Sequence, residues 1–331
     1  MSPRFSFPWN SQMSLSKFLQ MNWNPWIFRF LPFGVSQWVI RTLGRLYYLV
    51  NRREQALIQE TISLVFRGKI AAGQVRSKIR AAFQGIFDHY HEKLFVGYSN
   101  FTKLKDFLRK QVSFQGLEKL QAALSAGRGV ILVTGHFGAV EFLPGALTVN
   151  GFPTSMICRF QSTRLREAQG RHSQWIGLDL IESDRGQGLW AALQALKAGR
   201  ILIIECDEFE SWRPDSRRVV HFLRHRLPQD RTLELLHRRS GAPVVTALLQ
   251  RDGHRRYTCQ LTSVGEAAPV NLPISDRCLE ILENAVQAHP EQWYQWKEFG
   301  KMIKTYREVG YDHQEGGYLA PEPAISLPDQ A

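Results

Sequence analysis

The sequence predicts an α/β fold in which a mainly parallel central sheet is flanked by helices. Short aliphatic runs alternate with helix-like segments through the middle of the chain, a pattern typical of βαβ units. The 331 residues are 44% hydrophobic, which is enough to bury the core of one large domain. Several of the runs end in polar residues, and in open parallel sheets ligands collect where the strands end.

The predicted elements follow one another from residue 51 onward. Residues 51–97 form two helices, with a break at Gly68–Gly73. Strands are predicted at 129–134, 154–158, 178–182, 201–206, 243–250 and 255–263, and helices at 138–150, 162–175, 188–198 and 229–239. The basic segment between 206 and 229 is predicted to be a loop.

The chain divides into three parts: residues 1–50, a main domain at 51–311, and a tail at 312–331 that is rich in Pro, Gly and acidic residues and is predicted to be disordered. Residues 1–53 carry seven basic side chains, no acidic one, and four tryptophans. Trp and Arg suit the boundary between a bilayer and water, so this segment is predicted to lie on a membrane surface. The alternative is that it packs only on the core.

Pro32 and Gly34 divide the amino-terminal segment into a short apolar stretch and an amphipathic helix that has Arg41 and Arg45 on one face. No apolar run reaches the ~18 residues that a spanning helix needs. The stretch from Phe30 to Val35 is too short and too aromatic for a secretory signal.

The net charge of +12, from 42 basic and 30 acidic side chains, favours anionic partners such as phospholipid head groups, phosphorylated glycolipids or an acidic carrier protein. One basic cluster comprises Arg213, Arg217, Arg218, Arg224 and Arg226. It is either a solvated face or a phosphate-holding surface. Because it has no interleaved stacking aromatics, nucleic acid is not an expected partner.

The four cysteines are scattered along the chain without a Cys-x-x-Cys pair. They are Cys158, Cys206, Cys259 and Cys278. Their apolar surroundings predict buried thiols in a reducing compartment, neither disulfides nor zinc ligands.

The most informative stretch is an aliphatic run at 129–134 that ends in a histidine flanked by glycines, Gly135-His136-Phe-Gly138, with a carboxylate at Glu141. On one helix, residues five apart lie about 140° around the axis and cannot meet. His136 is therefore predicted in a loop and Glu141 in the first turn of the next helix, with the glycines allowing the turn. A carboxylate that holds one ring nitrogen as N–H leaves the other nitrogen free to act as a base.

The segment from His136 to Glu141 resembles the His-x4-Asp/Glu motif of the lysophospholipid acyltransferase superfamily, and specifically of the lipid A biosynthesis (lauroyl/myristoyl) acyltransferase family. Further similar segments are Cys158-Arg159-Phe160, Arg200 to Glu208, Ser240 to Val245, and His289 to Trp293. There are three departures: Glu208 stands where the family has Gln, Trp293 to Trp296 is one residue longer than the family's Trp-x-Trp, and Lys297-Glu298 replaces basic residues.

The resemblance implies a glycerolipid acyltransferase-like fold and direct transfer of a fatty acyl group, without a covalent enzyme intermediate. The donor would be a thioester of acyl carrier protein or coenzyme A, and the acceptor a hydroxyl of an anionic lipid or glycolipid that is lipid A-like or lysophospholipid-like. No metal or bound cofactor is required. The expected location is the cytoplasmic face of the bacterial inner membrane, as a peripheral or monotopic protein.

The resemblance also assigns roles to residues. His136 would be the general base, and Glu141 would orient it and stabilise its cationic form. Arg159 would hold acceptor phosphate or stabilise developing negative charge, and Asp207 would position that arginine or a backbone element. Gly138 and Arg218 complete the predicted substrate-binding set.

Two other functions remain open. Gly186-Gln-Gly188-Leu-Trp-Ala191 fits the Gly-x-Gly-x-x-Ala turn of dinucleotide-binding enzymes, although Ser183 to Arg185 separate it from the preceding strand, which removes the tight strand-to-helix turn. The other is a non-catalytic basic membrane adaptor. A metal site at His89, His91 and Glu92 is disfavoured because no further ligands accompany them. A serine-hydrolase site is disfavoured because no Gly-x-Ser-x-Gly elbow is present.

Overall fold

The computed structural model describes Leu15, Leu19 and residues 24–68, 71–160, 163–183, 188–209, 214–253, 255–267 and 272–308. Seven strands form the central sheet: β1 (Val112–Gln115), β2 (Val130–Thr134), β3 (Thr154–Cys158), β4 (Asp179–Glu182), β5 (Ile201–Glu205), β8 (Val244–Gly253) and β9 (Arg256–Ser263). A separate hairpin is formed by β6 (Pro214–Phe222) and β7 (His225–Asp230).

The strand order is β1-β9-β8-β2-β5-β3-β4. The five strands from β8 to β4 run parallel to one another, β9 is antiparallel to β8, and β1 is parallel to β9. The predicted α/β class with a mainly parallel sheet is therefore confirmed. The carboxyl ends of β2, β5 and β3 lie side by side, so the residues that follow these strands meet at one edge of the sheet.

Helices cover both faces of the sheet. They are α1 (Asn24–Phe30), α2 (Phe33–Val50), α3 (Arg52–Phe66), α4 (Ala72–Tyr98), α5 (Phe101–Gln111), α6 (Leu117–Ser125), α7 (Leu143–Val149), α8 (Thr163–Ile176), α9 (Gly188–Lys197), α10 (Thr232–Ser240), α11 (Val264–Ala267), α12 (Ile274–Ala288) and α13 (Trp296–Glu308). The predicted pair of helices at 51–97 is confirmed as α3 and α4. The predicted helix at 138–150 begins later, with a 3-10 turn at Val140–Phe142 that leads into α7.

The core lies on both faces of β2, whose five residues are all buried. Val130 and Leu132 contribute to the larger hydrophobic cluster, and Ile131 and Val133 to the smaller one on the opposite face. Successive side chains of a strand point to opposite faces. A central parallel strand is buried on both, which explains why this run is aliphatic without alternation.

Helix α2 begins after Pro32, at the predicted break, and packs on α4. Its inner face buries Phe33, Ile40 and Tyr47, so it is part of the core. Arg41 and Arg45 do not act together: Arg41 Nε and Nη2 donate to the Asp88 carboxylate at 2.6 and 2.7 Å, whereas Arg45 is exposed. Among the described residues, no helix is both long and apolar enough to cross a bilayer.

The prediction of a loop between 206 and 229 is wrong, because residues 214–230 form the β6–β7 hairpin. Val220, Phe222 and Leu227 are buried, which anchors the hairpin to the main domain although many of its other residues are basic. The pairing of β7 also delays α10 to Thr232, three residues after the predicted start. The predicted disordered tail at 312–331 lies outside the described residues.

A buried ion pair ties three parts of the domain together. Arg251 on β8 donates to both Glu92 carboxylate oxygens, at 2.7 and 2.8 Å, and its Nη2 donates to the Gly138 carbonyl at 2.6 Å. Glu92 lies on α4, and its side chain is 2% exposed. Arg251 therefore connects α4 and β8 to the loop that carries His136.

We expect Glu92→Gln to lower the free energy of unfolding by about 3–5 kcal/mol, because it leaves the Arg251 guanidinium buried without its charge partner. Urea unfolding of the full-length protein measures the change. The matched control is Glu60→Gln, which removes a carboxylate from a solvent-exposed pair with Lys304 and should have little effect. Equal losses in the two variants would contradict a special role of the buried pair.

Candidate active site

The loop after β2 places His136 at the carboxyl edge of the sheet. Gly138 in this loop has φ +60°, and a Cβ there would lie 1.9 Å from the Leu249 carbonyl oxygen. The loop therefore passes so close to β8 that only glycine fits. Gly138 N–H donates to the Gln292 carbonyl at 2.7 Å, and Ala139 N–H to that of Leu249 at 2.8 Å. These contacts fix the backbone on the carboxyl side of His136.

Asp207 contacts the His136 ring at Nδ1 and fixes its orientation. It is fully buried, and its Oδ1 lies 2.9 Å from His136 Nδ1. The His136 backbone N–H lies 3.0 Å from each Asp207 carboxylate oxygen, and Trp293 Nε1 donates to Oδ2 at 2.7 Å. Because an ionised carboxylate only accepts hydrogen bonds, His136 Nδ1 carries a proton. In the neutral ring, Nε2 is therefore the nitrogen that can accept a proton.

Two more carboxylates face Nε2. The Oε2 atom of Glu205 lies 3.4 Å from His136 Nε2, and that of Glu208 lies 3.3 Å from it. Glu205 is the last residue of β5 and pairs in register with Thr134 at the end of β2. The pairing of these central strands therefore brings three carboxylates, from the end of β5 and the turn after it, close to one imidazole.

The charges around His136 shift its titration. Burial alone lowers the pKa of the ring, but the negative charges of Glu205 and Asp207, the hydrogen bond to Asp207 and the contact with Glu208 outweigh it and raise the pKa well above its usual value. Burial also raises the pKa of Glu205, with repulsion from Glu208 and Asp207 adding to it while the attraction of His136 opposes it. The carboxylates around His136 therefore favour the protonated form of its ring.

Glu141 does not meet the His136 ring. Its carboxylate contacts Lys93 Nζ at 3.3 Å and His89 Nε2 at 3.6 Å. The 3-10 turn at Val140–Phe142 replaces the predicted first turn of a regular helix, and the place beside Nδ1 belongs to Asp207. Glu141 and His136 nevertheless line the same cavity, so the catalytic role of Glu141 stays a prediction.

Lys93 brings a positive charge into this cavity. Burial lowers the pKa of its ammonium, but the charges of Glu141 and Glu205 outweigh that effect and raise the pKa. Lys93 therefore stays charged. The neighbouring His89 is neutral, because burial holds its pKa well below the usual value, and its ring stacks on Tyr294 with centroids 3.3 Å apart.

The cavity has a volume of about 400 Å³ and two chemically different ends. His136, Glu141, Glu205, Glu208 and Lys93 lie around its middle. The apolar end is lined by Val96, Leu104, Leu108, Pro144, Met156, Leu165 and Ile176, and the polar end by Glu54, Gln295, Lys297, Glu298 and Lys301. A pocket of this size with a few convergent polar groups is typical of a small-molecule site.

The other predicted substrate-binding residues are Arg159, Gly138 and Arg218. Arg159 is exposed and lines it, as predicted from its place after β3. Gly138 and Arg218 do not line it. The Gly138 backbone packs on β8, and Arg218 is exposed on β6, where its charge acts on Asp276. Their substrate-binding roles stay predictions.

The sequence reasoning missed Lys93, Glu205, Trp293 and Tyr294 as site residues. The sequence could have identified Glu205 as a site residue, since three carboxylates stand within four residues at the end of a predicted strand. Trp293 lies in the segment that is similar to the family, and Tyr294 lies in the stretch from Trp293 to Trp296 that departs from its pattern. The side chains of His136, Glu205 and Glu208 could also hold a metal ion, because their ligand atoms lie within 4.8 Å of one another. In the segment from Gly186 to Ala191 that fits a dinucleotide turn, residues 186 and 187 lie outside the described residues, and Gly188 begins α9.

Comparison with known proteins identifies one family. The family model for bacterial lipid A biosynthesis acyltransferases matches residues 17–298. The match contains the whole central sheet and every residue that lines the cavity near His136 except Lys301. No curated protein matches the chain in sequence.

We expect Glu208→Gln to lower the pKa of the His136 ring, because it removes one of the negative charges that favour the imidazolium. NMR titration of the ring C–H signals measures the pKa. Glu141→Gln is the matched control, since Glu141 lies in the same cavity but contacts Lys93 and His89; its effect on the His136 pKa should be smaller. A larger shift in Glu141→Gln than in Glu208→Gln would contradict this arrangement.

Proposed function

This chain belongs to the bacterial lipid A biosynthesis acyltransferase family, and we propose that it moves a fatty acyl group from a thioester to a hydroxyl of an anionic lipid or glycolipid. The observation that carries the proposal is His136. Its Nδ1 is held by a buried carboxylate, and its Nε2 faces a cavity that has both an apolar and a polar end. This is the arrangement of an oriented general base beside a binding site for two substrates.

In the proposed reaction the acceptor hydroxyl lies at Nε2. As its oxygen attacks the thioester carbonyl, its proton passes to Nε2, and a tetrahedral intermediate forms. That intermediate then collapses: the carbon–sulfur bond breaks, the acyl group stays on the acceptor oxygen, and the thiolate takes the proton from the imidazolium. Asp207 keeps the ring oriented and stabilises its cationic form throughout.

Lys93 is suited to stabilise the negative charge that develops on the carbonyl oxygen. Its ammonium lies in the cavity and is held there by Glu141 at 3.3 Å. A fixed cation in a site sheltered from water stabilises such a charge strongly. In this account Glu141 acts by placing Lys93, which gives the carboxylate of the His-x4-Glu motif a role without direct contact to His136.

The two ends of the cavity suit the two halves of the reaction. The apolar end, between α4, α5 and α8, matches an acyl chain, whose burial contributes about 0.8 kcal/mol per CH2 group. Arg159, Lys297 and Lys301 line the cavity at positions where they could meet a phosphorylated acceptor. The donor would be a thioester of acyl carrier protein or coenzyme A, and the basic hairpin with Arg218 offers an acidic carrier a complementary surface.

We propose a location on the cytoplasmic face of an anionic membrane, and the exposed apolar side chains of the amino-terminal helices support the membrane contact. Large hydrophobic side chains are exposed along α1 and one stripe of α2: Trp26, Phe30, Val35, Trp38, Leu46, Leu49 and Val50. The stripe of α2 recurs at helical spacing opposite the face that packs on α4. Apolar side chains presented in this way bind the interfacial layer of a bilayer.

The two alternative functions have weaker support. A dinucleotide-dependent enzyme would use the turn at Gly188, which follows the edge strand β4 and lies apart from His136. A non-catalytic adaptor would have no need for an oriented histidine in a cavity. Neither of these two functions accounts for the His136–Asp207 contact together with the family membership.

We expect His136→Ala to reduce acyl transfer by about 10²- to 10⁴-fold. We expect Asp207→Asn to cause a loss of similar order, because an amide nitrogen facing Nδ1 favours the wrong tautomer. Glu141→Gln should lose less. Turnover of acyl carrier protein and coenzyme A thioesters with a phosphorylated glycolipid acceptor measures the effect.

Thermal unfolding of each variant separates catalysis from folding. If folded His136→Ala turns over at the wild-type rate, His136 is not the base. If Glu141→Gln loses as much as His136→Ala while Asp207→Asn stays active, Glu141 is the orienting carboxylate and the role given to Asp207 is wrong.

We expect replacement of Trp26, Phe30 and Trp38 by Ser to release the protein from vesicles that contain anionic phospholipid, at low and at high salt, because the apolar contribution is not screened. Substitution is preferable to deletion of the segment, since Phe28 and Phe33 are core residues. Vesicle flotation is the measurement.

The chain offers a matched control in Trp175 and Trp190, which are 72% and 63% exposed on other helices. Replacing these two by Ser should leave membrane binding intact. If both sets of substitutions release the protein equally, or neither does, the membrane contact does not lie on α1 and α2.

A further inference from the structure

We propose that His136, Glu205 and Glu208 also form a binding site for a divalent transition metal ion such as Zn²⁺, and that an ion bound there blocks the reaction. The binding claim rests on geometry alone, whereas the inhibition rests on the proposed function. The three side chains come from the loop after β2 and the turn after β5, and their ligand atoms lie within 4.8 Å of one another.

The distances within this cluster fit a metal ion better than direct hydrogen bonds. Nε2 lies 3.4 Å from Glu205 Oε2 and 3.3 Å from Glu208 Oε2. A charge-assisted N–H···O bond would be shorter, about 2.7–2.9 Å. Zinc bonds to N and O ligands at about 2.0–2.2 Å, so two ligands of a tetrahedral zinc lie about 3.3–3.5 Å apart. The separations of Nε2 from Glu205 Oε2 and from Glu208 Oε2 both fit that range.

An ammonium group is the other cation that could enter the cluster. It donates at about 2.7–2.9 Å in a tetrahedral arrangement, which places its acceptors about 4.4–4.7 Å apart. The separations between Nε2 and the two carboxylates, 3.4 and 3.3 Å, are shorter than that by about 1 Å or more. The geometry therefore favours a metal ion over an amine.

The surroundings of His136 are those of a metal ligand. A histidine that binds a metal usually donates its other ring N–H to a carboxylate, which fixes the ring and strengthens the ligand. Asp207 provides this carboxylate at 2.9 Å and is itself held by Trp293. The side chains of Glu205 and Glu208 are 17% and 33% exposed, and the cavity gives an ion and a fourth ligand access to them.

The donor set selects among metal ions. One imidazole and two carboxylates suit zinc and similar transition metals, whereas Mg²⁺ prefers six oxygen ligands and keeps several of its waters. Glu205 and Glu208 supply the two carboxylates of this set, and His136 supplies the imidazole.

A metal ion at this site would occupy the lone pair of Nε2. The ring could then no longer accept the proton of the acceptor hydroxyl, and the ion would stand where that hydroxyl must lie. Zinc would therefore act as a reversible inhibitor that competes with the acceptor.

The test is a titration of the full-length protein with ZnCl2, followed by calorimetry and by thermal unfolding. We expect saturable binding, and a rise in Tm because the ion binds the folded state. Glu205→Gln and Glu208→Gln should each weaken binding at least about tenfold. Glu141→Gln is the matched control, a carboxylate of the same cavity outside the cluster, and should bind zinc like the wild type. MgCl2 at equal concentration should leave Tm unchanged.

Absence of zinc binding, or equal affinity in the wild type and Glu208→Gln, would overturn the site. Loss of binding in Glu141→Gln would overturn the ligand assignment. An acyl transfer assay tests the consequence: zinc should inhibit the wild type, and EDTA should restore turnover. Activation by zinc would overturn the inhibitory role. Zinc binding by a protein that transfers no acyl group would refute the proposed function and leave the metal site standing, so the two failures are distinguishable.

Discussion

The structure of the site depends on one buried carboxylate. Asp207 accepts hydrogen bonds from the His136 ring, from the His136 backbone and from the Trp293 indole, and so it joins the loop after β2, the turn after β5 and the segment before α13. A buried charge is stable only when it is hydrogen-bonded on most sides. The same contacts that satisfy Asp207 also orient the His136 ring, so the fold and the proposed catalysis both depend on this residue.

The charge around His136 is the second constraint. Three carboxylates surround one imidazole, and the nearby ammonium of Lys93 is held by Glu141 on another wall of the cavity. The ring therefore holds its proton more tightly than an isolated histidine. An imidazolium cannot act as a base, so the proposed reaction needs the neutral ring. A cationic group nearby or a rise in pH favours the neutral ring. The proposed acceptor, the pH dependence of the proposed reaction and the proposed affinity for metal ions therefore all depend on the same cluster.

Much of the fold was readable from the sequence because β2 and β5 are short aliphatic runs, and because polar residues stand at or just beyond the ends of β2, β3 and β5. The position of His136 at the edge of the sheet followed from the glycines around it. The identity of the carboxylate that holds the His136 ring did not follow from the sequence. Glu141 is close in sequence, whereas Asp207 is 71 residues away, and their proximity depends on the register that pairs Thr134 with Glu205. The β6–β7 hairpin was missed because basic residues interrupt the buried ones that anchor it.

The central claim is that Asp207 fixes a proton on Nδ1 and leaves Nε2 as the base. The most direct test is the ¹⁵N spectrum of the His136 imidazole in histidine-labelled protein, taken at a pH where the ring is neutral. The account predicts a protonated Nδ1 and an unprotonated Nε2 in the wild type. A proton on Nε2, or an equal mixture of the two tautomers, would contradict it.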